Sequence, residues 1–382
     1  MNKDMEAKMP ATEAPKTSET VYMKGGGYYS RVNLGMRQVI NNSLDLVKAA
    51  IDGMDIEGRD RVFGIGDYGS ADGGTSHELF RNIIAMVRAR APKRPIVVNY
   101  NDLPKNDFSA LFGMLNEEDE VLGIRSYMRD YDNVYVLASG TSFYRQVFPS
   151  ESIDFGYSCT ALHWLSEKPG SISSHIHAVG AKGDELKVYA SQARKDWQTI
   201  LLHRAAELVP GGKLVFVIFS KDEQGRFLGN TGGVSMFDTS NAIWLELVDQ
   251  GVLTKEEYVN VTFPQFYRTT EDFLAPFSDP SSDVNKAGLS LDHIESRMVG
   301  CPYADRYRKT RDLDSFAPPY VDMYRSWSES TFYNGLSPSR PAEERGRIVD
   351  LFYSQYEEEV RRRPDEHSMA HIHHYMLISK AK

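Results

Sequence analysis

Two acidic residues, each at the end of a predicted strand, are the side chains whose type and spacing could do chemistry. Asp67 ends the short apolar run 61–67, and Asp102 follows the apolar run 95–101. A glycine-rich turn over 68–76 follows the first acid, and glycines let the backbone approach a ligand closely. An acid after the second strand suits paired hydrogen bonds to the hydroxyls of a ribose. The pattern therefore indicates a ligand that contains a nucleoside.

The charge around the turn decides which nucleoside ligand fits. The spacing Gly64-x-Gly66-x-x-Gly69 superficially matches the dinucleotide fingerprint. However, the first two of these glycines lie within the apolar strand. Asp67 comes directly before the turn and Asp72 lies within it, so their negative charges would repel a diphosphate. A ligand with a positive charge and no phosphate, namely S-adenosylmethionine (SAM), fits better. The alternative, in which the acids only cap loops, stays open.

Alternating strands and helices must position these acids. Apolar runs of strand length alternate with segments whose apolar residues recur at helical spacing. The predicted strands cover 61–67, 95–101, 133–138, 152–158 and 213–219, and the predicted helices cover 34–52, 77–90 and 197–208. Strands that are apolar on both faces are typical of a mostly parallel sheet covered by helices on both sides. The fold class is therefore α/β, with its chemistry at the carboxyl ends of the strands.

The composition changes along the chain predict four segments. Residues 1–20 are polar and predict a disordered leader, and residues 21–220 predict a Rossmann-like SAM-binding core with an N-terminal lid segment. A stretch rich in glycine, proline and aspartate over 221–344 predicts a mainly helical cap that shapes the substrate pocket. Residues 345–382 predict a helix and a strand that complete the core.

The overall composition limits the partners. The chain has 382 residues, with 44 Lys and Arg against 53 Asp and Glu, so its net charge of −9 argues against a nucleic-acid partner. The longest strongly apolar run, 214–219, is too short to span a bilayer, and the polar N-terminus lacks the apolar part of a secretion signal. Two cysteines cannot build a disulfide framework and are typical of a reducing compartment. These features predict a cytoplasmic protein without a membrane partner.

Six short segments, in one order along the chain, carry a resemblance to a known family. They are Met23–Gly27 (MKGGG), Asp67–Ser70 (DYGS), Asn101–Phe108 (NDLPKNDF), Ser142–Tyr144 (SFY), Ser158–Ser166 (SCTALHWLS) and Val209–Lys213 (VPGGK). The chain resembles the SABATH methyltransferases, which include plant salicylate, benzoate and jasmonate carboxyl methyltransferases and the caffeine-pathway N-methyltransferases. The resemblance runs from about Tyr22 to the C-terminus and points to a microbial member. It implies a class I methyltransferase sheet, SAM as methyl donor and a homodimer.

The resemblance also implies roles for residues around the cofactor. Asp67 and Gly69 would face the methionine and sulfonium end, and Asp102 would bind the ribose hydroxyls. The remaining implied cofactor contacts are Leu103, Ser142 and Phe143 around the adenine, Tyr29 near the cofactor, and Asn33 at a position where a serine is common.

On the acceptor side, Trp164 matches the aromatic residue that donates its indole N–H to the substrate carboxylate, and Lys24 matches a lysine near the pocket. Met36 stands where carboxyl methyltransferases usually have a glutamine, while Thr160 and His163 replace a tyrosine and a methionine. These departures predict a different and more polar pocket. His163 either donates to a second polar group, for example a second carboxylate, or is a structural histidine.

The predicted function is transfer of a methyl group from SAM to the carboxylate of a small organic acid, which gives a methyl ester and S-adenosylhomocysteine (SAH). Trp164 and Lys24 are the predicted catalytic residues. An N-methyltransferase acting on a flat heterocycle and a non-catalytic SAM-binding interaction protein stay open as alternatives. Some family members bind Mg²⁺ near the cap, but its ligands cannot be placed on this sequence. The histidines at 175, 177, 371, 373 and 374 lack a zinc-ligand pattern.

Overall fold

A seven-stranded sheet forms the centre of the molecule. The structure is a computed structural model that describes residues 21–23, 28–57, 61–116 and 125–382, without the side chains of Tyr29 and Leu34. The strand order is β3-β2-β1-β4-β5-β7-β6. Strands β1 to β5 are parallel, and β7 lies antiparallel to both β5 and β6. The predicted leader 1–20 lies outside the described residues.

The strands are β1 Phe63–Tyr68, β2 Ile96–Asp102, β3 Val134–Gly140, β4 Ile153–Cys159, β5 Leu208–Phe219, β6 Leu289–Val299 and β7 His371–Lys380. The helices are α1 Tyr28–Val32, α2 Leu34–Asn41, α3 Leu44–Asp52, α4 His77–Arg90, α5 Phe108–Asn116, α6 Gly183–Glu207, α7 Met236–Asp249, α8 Lys255–Asn260, α9 Thr270–Ser278, α10 Asp283–Lys286, α11 Pro302–Thr310, α12 Ala317–Gly335 and α13 Ala342–Arg362.

Both faces of the sheet are covered, as the apolar strands predict. Alternate residues of β5 point to opposite sides: Val215 and Val217 join the apolar cluster that contains α4, whereas Leu214 and Phe216 join the cluster that contains Trp197 of α6. Such two-sided burial is typical of a sheet that lies between two helical layers. Among the described residues, no helix has the length and apolar content needed to cross a bilayer.

The first glycine of the fingerprint-like spacing, Gly64, is required for the packing of two strands. Gly64 lies in β1, and a Cβ added there would collide with the carbonyl oxygen of Ser152, just before β4. A side chain is therefore excluded by the close approach of two strands. This agrees with the interpretation that the glycine spacing is not a dinucleotide fingerprint.

Three predicted elements have clearly different bounds in the structure. The helix predicted over 197–208 is the last part of α6, which begins at Gly183 rather than at Trp197. The helix predicted over 34–52 is two helices, α2 and α3, because the Ser43 hydroxyl donates to the Ile40 carbonyl (2.6 Å) and competes with the helical pattern. The Pro210-Gly211-Gly212 segment does not separate helix from strand. It forms an irregularity within β5, where the register against β4 shifts and Gly211 has φ of +78°.

The C-terminal third differs from the predicted segment boundaries. Strand β6 belongs to the sheet edge although it lies within 221–344, and the register shift between Leu291 and His293 breaks the alternation that would have revealed it. Helix α13, predicted to complete the core, packs instead on α12 of the cap, with ring centroids of Phe332 and Phe352 4.2 Å apart. Only β7 of the last segment enters the sheet.

Candidate functional site

Two adjoining chambers open at the carboxyl ends of the parallel strands. The first chamber is lined by residues at the ends of β1, β2 and β4. Its walls include six of the predicted cofactor residues, namely Asp67, Gly69, Asp102, Leu103, Ser142 and Phe143. The structure therefore brings together residues that lie up to 76 positions apart in the chain (67 to 143).

Backbone hydrogen bonds tie the glycine-rich turn to the end of β2. The N–H groups of Gly69 and Ser70 donate to the Asn101 carbonyl at 2.8 and 3.0 Å. Gly69 has φ of +83°, and a Cβ on it would collide with Ala161, so glycine is required there. The turn is thereby fixed beside Asp102, and its N-terminal acid Asp67 faces the same cavity.

Asp67 is a buried carboxylate without a cation. It is 3% exposed and accepts a hydrogen bond from the Ser76 hydroxyl at 3.0 Å. Burial, with a smaller contribution from the charge of Asp102, raises the pKa of Asp67 to about 7. No described Lys, Arg or His forms an ion pair with it. A positively charged ligand in the first chamber would supply the missing counter-ion, so this residue fits SAM.

The Asp102 carboxylate can cap the loop and accept hydrogen bonds from a ligand at the same time. Its Oδ2 accepts from the Ala71 N–H and its Oδ1 from the Leu103 N–H, both at 2.7 Å. The carboxylate therefore caps the loop, as the alternative interpretation held. Each oxygen has a further lone pair, so two acceptor positions remain for a diol. Burial raises the pKa of Asp102 above its ordinary value.

The loop after β3 supplies the aromatic side of the first chamber. Arg204 of α6 donates to the carbonyl oxygen of Phe143 at 2.9 Å and to that of Arg145 at 2.8 Å. The hydroxyl of Tyr144 donates to the carbonyl oxygen of Trp164. A core helix thus holds Phe143 in place, and the same loop is bonded to the backbone of the predicted catalytic tryptophan.

The second chamber adjoins the first and is the smaller of the two. It shares four wall residues with the first chamber, namely Met23, Met36, Thr160 and Trp164. Trp164 is 7% exposed and follows β4. Met36 and Thr160, predicted on the acceptor side, therefore lie at the junction, and His163 lines the second chamber.

Thr160 has a strained backbone. Its φ of +61° is in the left-handed region, which a β-branched residue rarely adopts and which costs about 1–3 kcal/mol. Its N–H donates to the Val217 carbonyl at 2.8 Å. Its hydroxyl lies 3.2 Å from both the Met36 sulfur and His373 Nε2. These contacts hold Thr160 at the junction of the chambers.

Asn33 lies on the wall of the second chamber. The sequence placed it at the cofactor, but it lines the second chamber and not the first. Its amide donates to the Ser326 hydroxyl of α12 at 3.1 Å, which connects the N-terminal segment to the cap. Lys24 and the Tyr29 side chain lie outside the described residues.

The N-terminal segment is bonded across the glycine-rich turn. Both the N–H and the hydroxyl of Ser30 in α1 donate to the Asp72 carboxylate, the former at 3.0 Å. The Tyr303 hydroxyl of the cap donates to the Val32 carbonyl. Asp72 therefore anchors α1 to the glycine-rich turn. Asp67, by contrast, accepts its side-chain hydrogen bond from Ser76 within the turn.

Two histidines line the second chamber, and sequence reasoning missed one of them. His163 and His371 are both 3% exposed, and burial lowers their pKa values to about 3 and about 4, so both are neutral at pH 7. The alternation in β7 placed His371 and His373 on one face, but it gave no sign that this face meets the cavity. Trp327 and Met323 of α12, also missed, complete the cap side.

The described residues contain no cluster of three or more His, Cys, Asp or Glu that could hold a metal ion.

The sheet order places the protein in the class of Rossmann-like methyltransferase folds. A solved structure of loganic acid methyltransferase with SAH is similar, with a TM-score of 0.74 and 21% identity over 94% of this chain and 99% of that chain. This likeness confirms the predicted fold.

Sequence comparison gives the family. The model of the SAM-dependent carboxyl methyltransferases matches residues 18–281. Loganic acid O-methyltransferase of Catharanthus roseus is 28% identical over 69% of this chain and 73% of its own length. The O-methyltransferase acrG of Aspergillus aculeatus is 28% identical over 86% and 83%.

The chain belongs to the family of SAM-dependent carboxyl methyltransferases. The predicted family, methyl donor and reaction class are thereby confirmed: the enzyme transfers a methyl group from SAM to a carboxylate, and SAH is the other product.

Proposed function

We propose that the first chamber binds SAM and the second binds a small organic acid, with the methyl group passing between them beside Trp164. The observation that carries this proposal is the shared wall. Trp164 lines both chambers, and of the described wall residues, Asp67 and Asp102 belong to the first chamber and none of the second is acidic. A donor and an acceptor in these two chambers would meet at the tryptophan.

The first chamber supports specific contacts with the cofactor. Asp67 balances the positive charge of the methionine end, and Gly69 lets the backbone approach it. Asp102 accepts from the ribose hydroxyls through its free lone pairs. Leu103, Ser142 and Phe143 surround the adenine, with Phe143 held by Arg204. Tyr29 and Lys24 keep the roles that the family resemblance implies, and Asn33 we assign to the acceptor side because it lines the second chamber.

SAM supplies an electrophilic methyl group on its sulfonium. The acceptor needs no general base, because a carboxylic acid with a pKa near ~4 is already ionised at pH 7. This agrees with the second chamber, where His163 and His371 are poor bases since burial lowers their pKa values to about 3 and about 4. The protein therefore acts by placing the carboxylate in line with the methyl group, which alone contributes on the order of 7–11 kcal/mol.

Trp164 is proposed to orient the carboxylate through its indole N–H, and Lys24 to orient it weakly from the N-terminal segment. A neutral donor is better suited than a full positive charge, because the negative charge of the carboxylate disappears in the transition state. A strong cation would stabilise the reactants more than the transition state. Met36, Thr160 and His163 are proposed to set the shape and polarity around the acid.

The test is a methyl-transfer screen with radiolabelled SAM and a panel of aromatic, aliphatic and dicarboxylic acids. We expect a product that mild alkali hydrolyses, as a methyl ester must. An alkali-stable product would indicate N-methylation, and SAM binding without turnover on any acid or heterocycle would favour a non-catalytic protein. Trp164→Phe, which keeps the ring and removes the N–H donor, is the matched variant.

We also propose a homodimer in the cytoplasm. The support is the family resemblance for the dimer, and for the compartment the two cysteines, Cys159 and Cys301, both of which are free thiols. Light scattering after size-exclusion chromatography tests the first, since a mass near that of one 43.2 kDa chain would contradict it. Fractionation of the source cells tests the second.

A further inference from the structure

Two imidazole rings face the second chamber from opposite parts of the chain. His163 follows β4, and His371 is the first residue of β7. Both pack against Phe219 at the end of β5, with ring centroids 5.1 Å and 5.7 Å away. Both residues line the second chamber. The fold thus places two polar rings in a small, largely apolar cavity.

Neither ring forms a hydrogen bond with a described residue. The Nδ1 atoms of His163 and His371 are buried and have no partner there, and no described residue hydrogen-bonds either Nε2. His374 on the same strand behaves differently, since its nitrogens bond Ser220 at 2.7 Å and Thr270 at 2.8 Å. A buried polar group without a partner costs about 1–3 kcal/mol. The Nε2 atoms of His163 and His371 are not fully buried and have no described partner, so they are available to a ligand in the cavity.

The charge state of the rings limits the kind of ligand group. Both rings are neutral at pH 7, and a neutral imidazole offers one donor and one acceptor nitrogen. No described Lys or Arg lines the second chamber. Lys24, which lies outside the described residues, is assigned to the reacting carboxylate. A second carboxylate beside the two neutral rings would therefore lose its water without a cation of its own, which is costly. A hydroxyl or a ketone loses far less and can pair with a neutral ring.

We infer that the acceptor acid carries a neutral oxygen, a hydroxyl or a ketone, in addition to its carboxylate, and that His163 and His371 hydrogen-bond this oxygen and select oxygenated acids. The inference rests on the proposed function, because it takes the second chamber as the acceptor site. It replaces the sequence hypothesis that His163 meets a second carboxylate.

The experiment compares acids that differ by one oxygen group. Benzoate is paired with its three hydroxybenzoates, phenylacetate with mandelate and phenylglyoxylate, and hexanoate with hydroxyhexanoates, while phthalate and adipate represent dicarboxylates. The kcat/KM for methyl ester formation is measured for the wild type, His163→Phe and His371→Phe. His371→Asn and His163→Gln keep a hydrogen-bonding group, and His374→Phe is the control for loss of a buried histidine outside the chamber.

We expect the wild type to prefer at least one oxygenated acid over its parent by about 10-fold to 100-fold, the effect of one buried hydrogen bond. His371→Phe and His163→Phe should lower kcat/KM for the oxygenated acid more than for its parent acid, and so remove this preference. The amide variants should retain part of it, and His374→Phe should leave the ratio unchanged even if it lowers stability.

Three results separate the possible failures. If the wild type methylates parent and oxygenated acids with equal kcat/KM, the selection by the histidines is refuted. It is also refuted if the phenylalanine variants lower kcat/KM for both acids to the same degree. A preference for the dicarboxylates refutes the neutral oxygen. If no acid gives an ester at all, the proposed function itself fails.

Discussion

Replacing Asp67 by asparagine should weaken SAM binding, abolish its dependence on pH and stabilise the ligand-free protein. The carboxylate is 3% exposed and has no described cation as partner, and burial raises its pKa to about 7. The proposed ligand supplies that cation, so it binds the ionised form. Asparagine keeps the size of the side chain and can still accept from Ser76, but it cannot carry the charge.

The magnitudes follow from the pKa. With a pKa of about 7, the ionised fraction falls from about ten elevenths at pH 8 to about one eleventh at pH 6, so SAM affinity should fall about tenfold over that range. At pH 8 the Asp67→Asn variant should bind about 10-fold to 100-fold more weakly, the effect of losing a charged hydrogen bond. The affinity of this variant for SAM should lack the pH dependence that the ionisation of Asp67 causes in the wild type.

Stability should change in the opposite direction. The folded, ligand-free protein holds the proton of Asp67 more tightly than the unfolded chain does, since the pKa rises from 3.8 to about 7. The carboxyl therefore lowers the free energy of unfolding progressively as the pH rises above 4. At pH 8 this amounts to up to about 4 kcal/mol, which Asp67→Asn should recover as a higher Tm.

Calorimetric titration with SAM at pH 6, 7 and 8 measures the affinities, and thermal unfolding of the ligand-free protein measures the stability. Ser76→Ala is the graded control: the Ser76 hydroxyl stabilises the ionised carboxylate, so its loss should move the titration to higher pH. Unchanged SAM affinity at pH 8 in Asp67→Asn, or a pH profile identical to that of the wild type, would refute the reasoning.

Three further predictions concern other parts of the site. Trp164→Phe should lower kcat/KM for the acid at least about tenfold through loss of one hydrogen bond, a larger effect than its effect on SAH affinity measured by calorimetry. Ser30→Ala removes the hydroxyl donor to Asp72 and leaves the N–H of residue 30 as the remaining donor. It should lower the free energy of unfolding by about 1–3 kcal/mol and speed hydrogen exchange in α1. The buried histidines should make the protein acid-sensitive: because burial lowers the pKa of His371 from 6.5 to about 4, stability is lost as the pH falls below 6.5. His371→Phe should remove about 2 kcal/mol of the loss between pH 7 and pH 5 in denaturant titrations.

The sequence predicted the first chamber well because local rules determine it. Alternating apolar runs gave the parallel strands, and residues at the carboxyl ends of adjacent parallel strands must meet. Asp67 and Asp102 were therefore placed together without knowledge of the fold around them. The bounds of α4 were predicted as observed, since an amphipathic pattern starts and stops cleanly at His77 and Arg90.

The second chamber could not be predicted in the same way. Its cap side comes from α12, and one histidine comes from β7, more than 200 residues after His163. Strand β6 escaped detection because its register shift breaks the period of two, and α13 was assigned to the core because an amphipathic helix does not reveal which surface it covers. Long-range packing, which no local pattern records, decided these features.

The separation of charge between the chambers follows from the chemistry that they serve. A carboxylate and a sulfonium combine into neutral products, so charges fixed beside the reacting oxygen would hold the reactants back. The described acids accordingly lie around the first chamber, away from the acceptor, while neutral rings and Trp164 line the second. Because only four wall residues are common to both chambers, substitutions at His163 or His371 should alter the choice of acid with little effect on SAM affinity. Substitutions at Thr160, which is strained and shared, should change both.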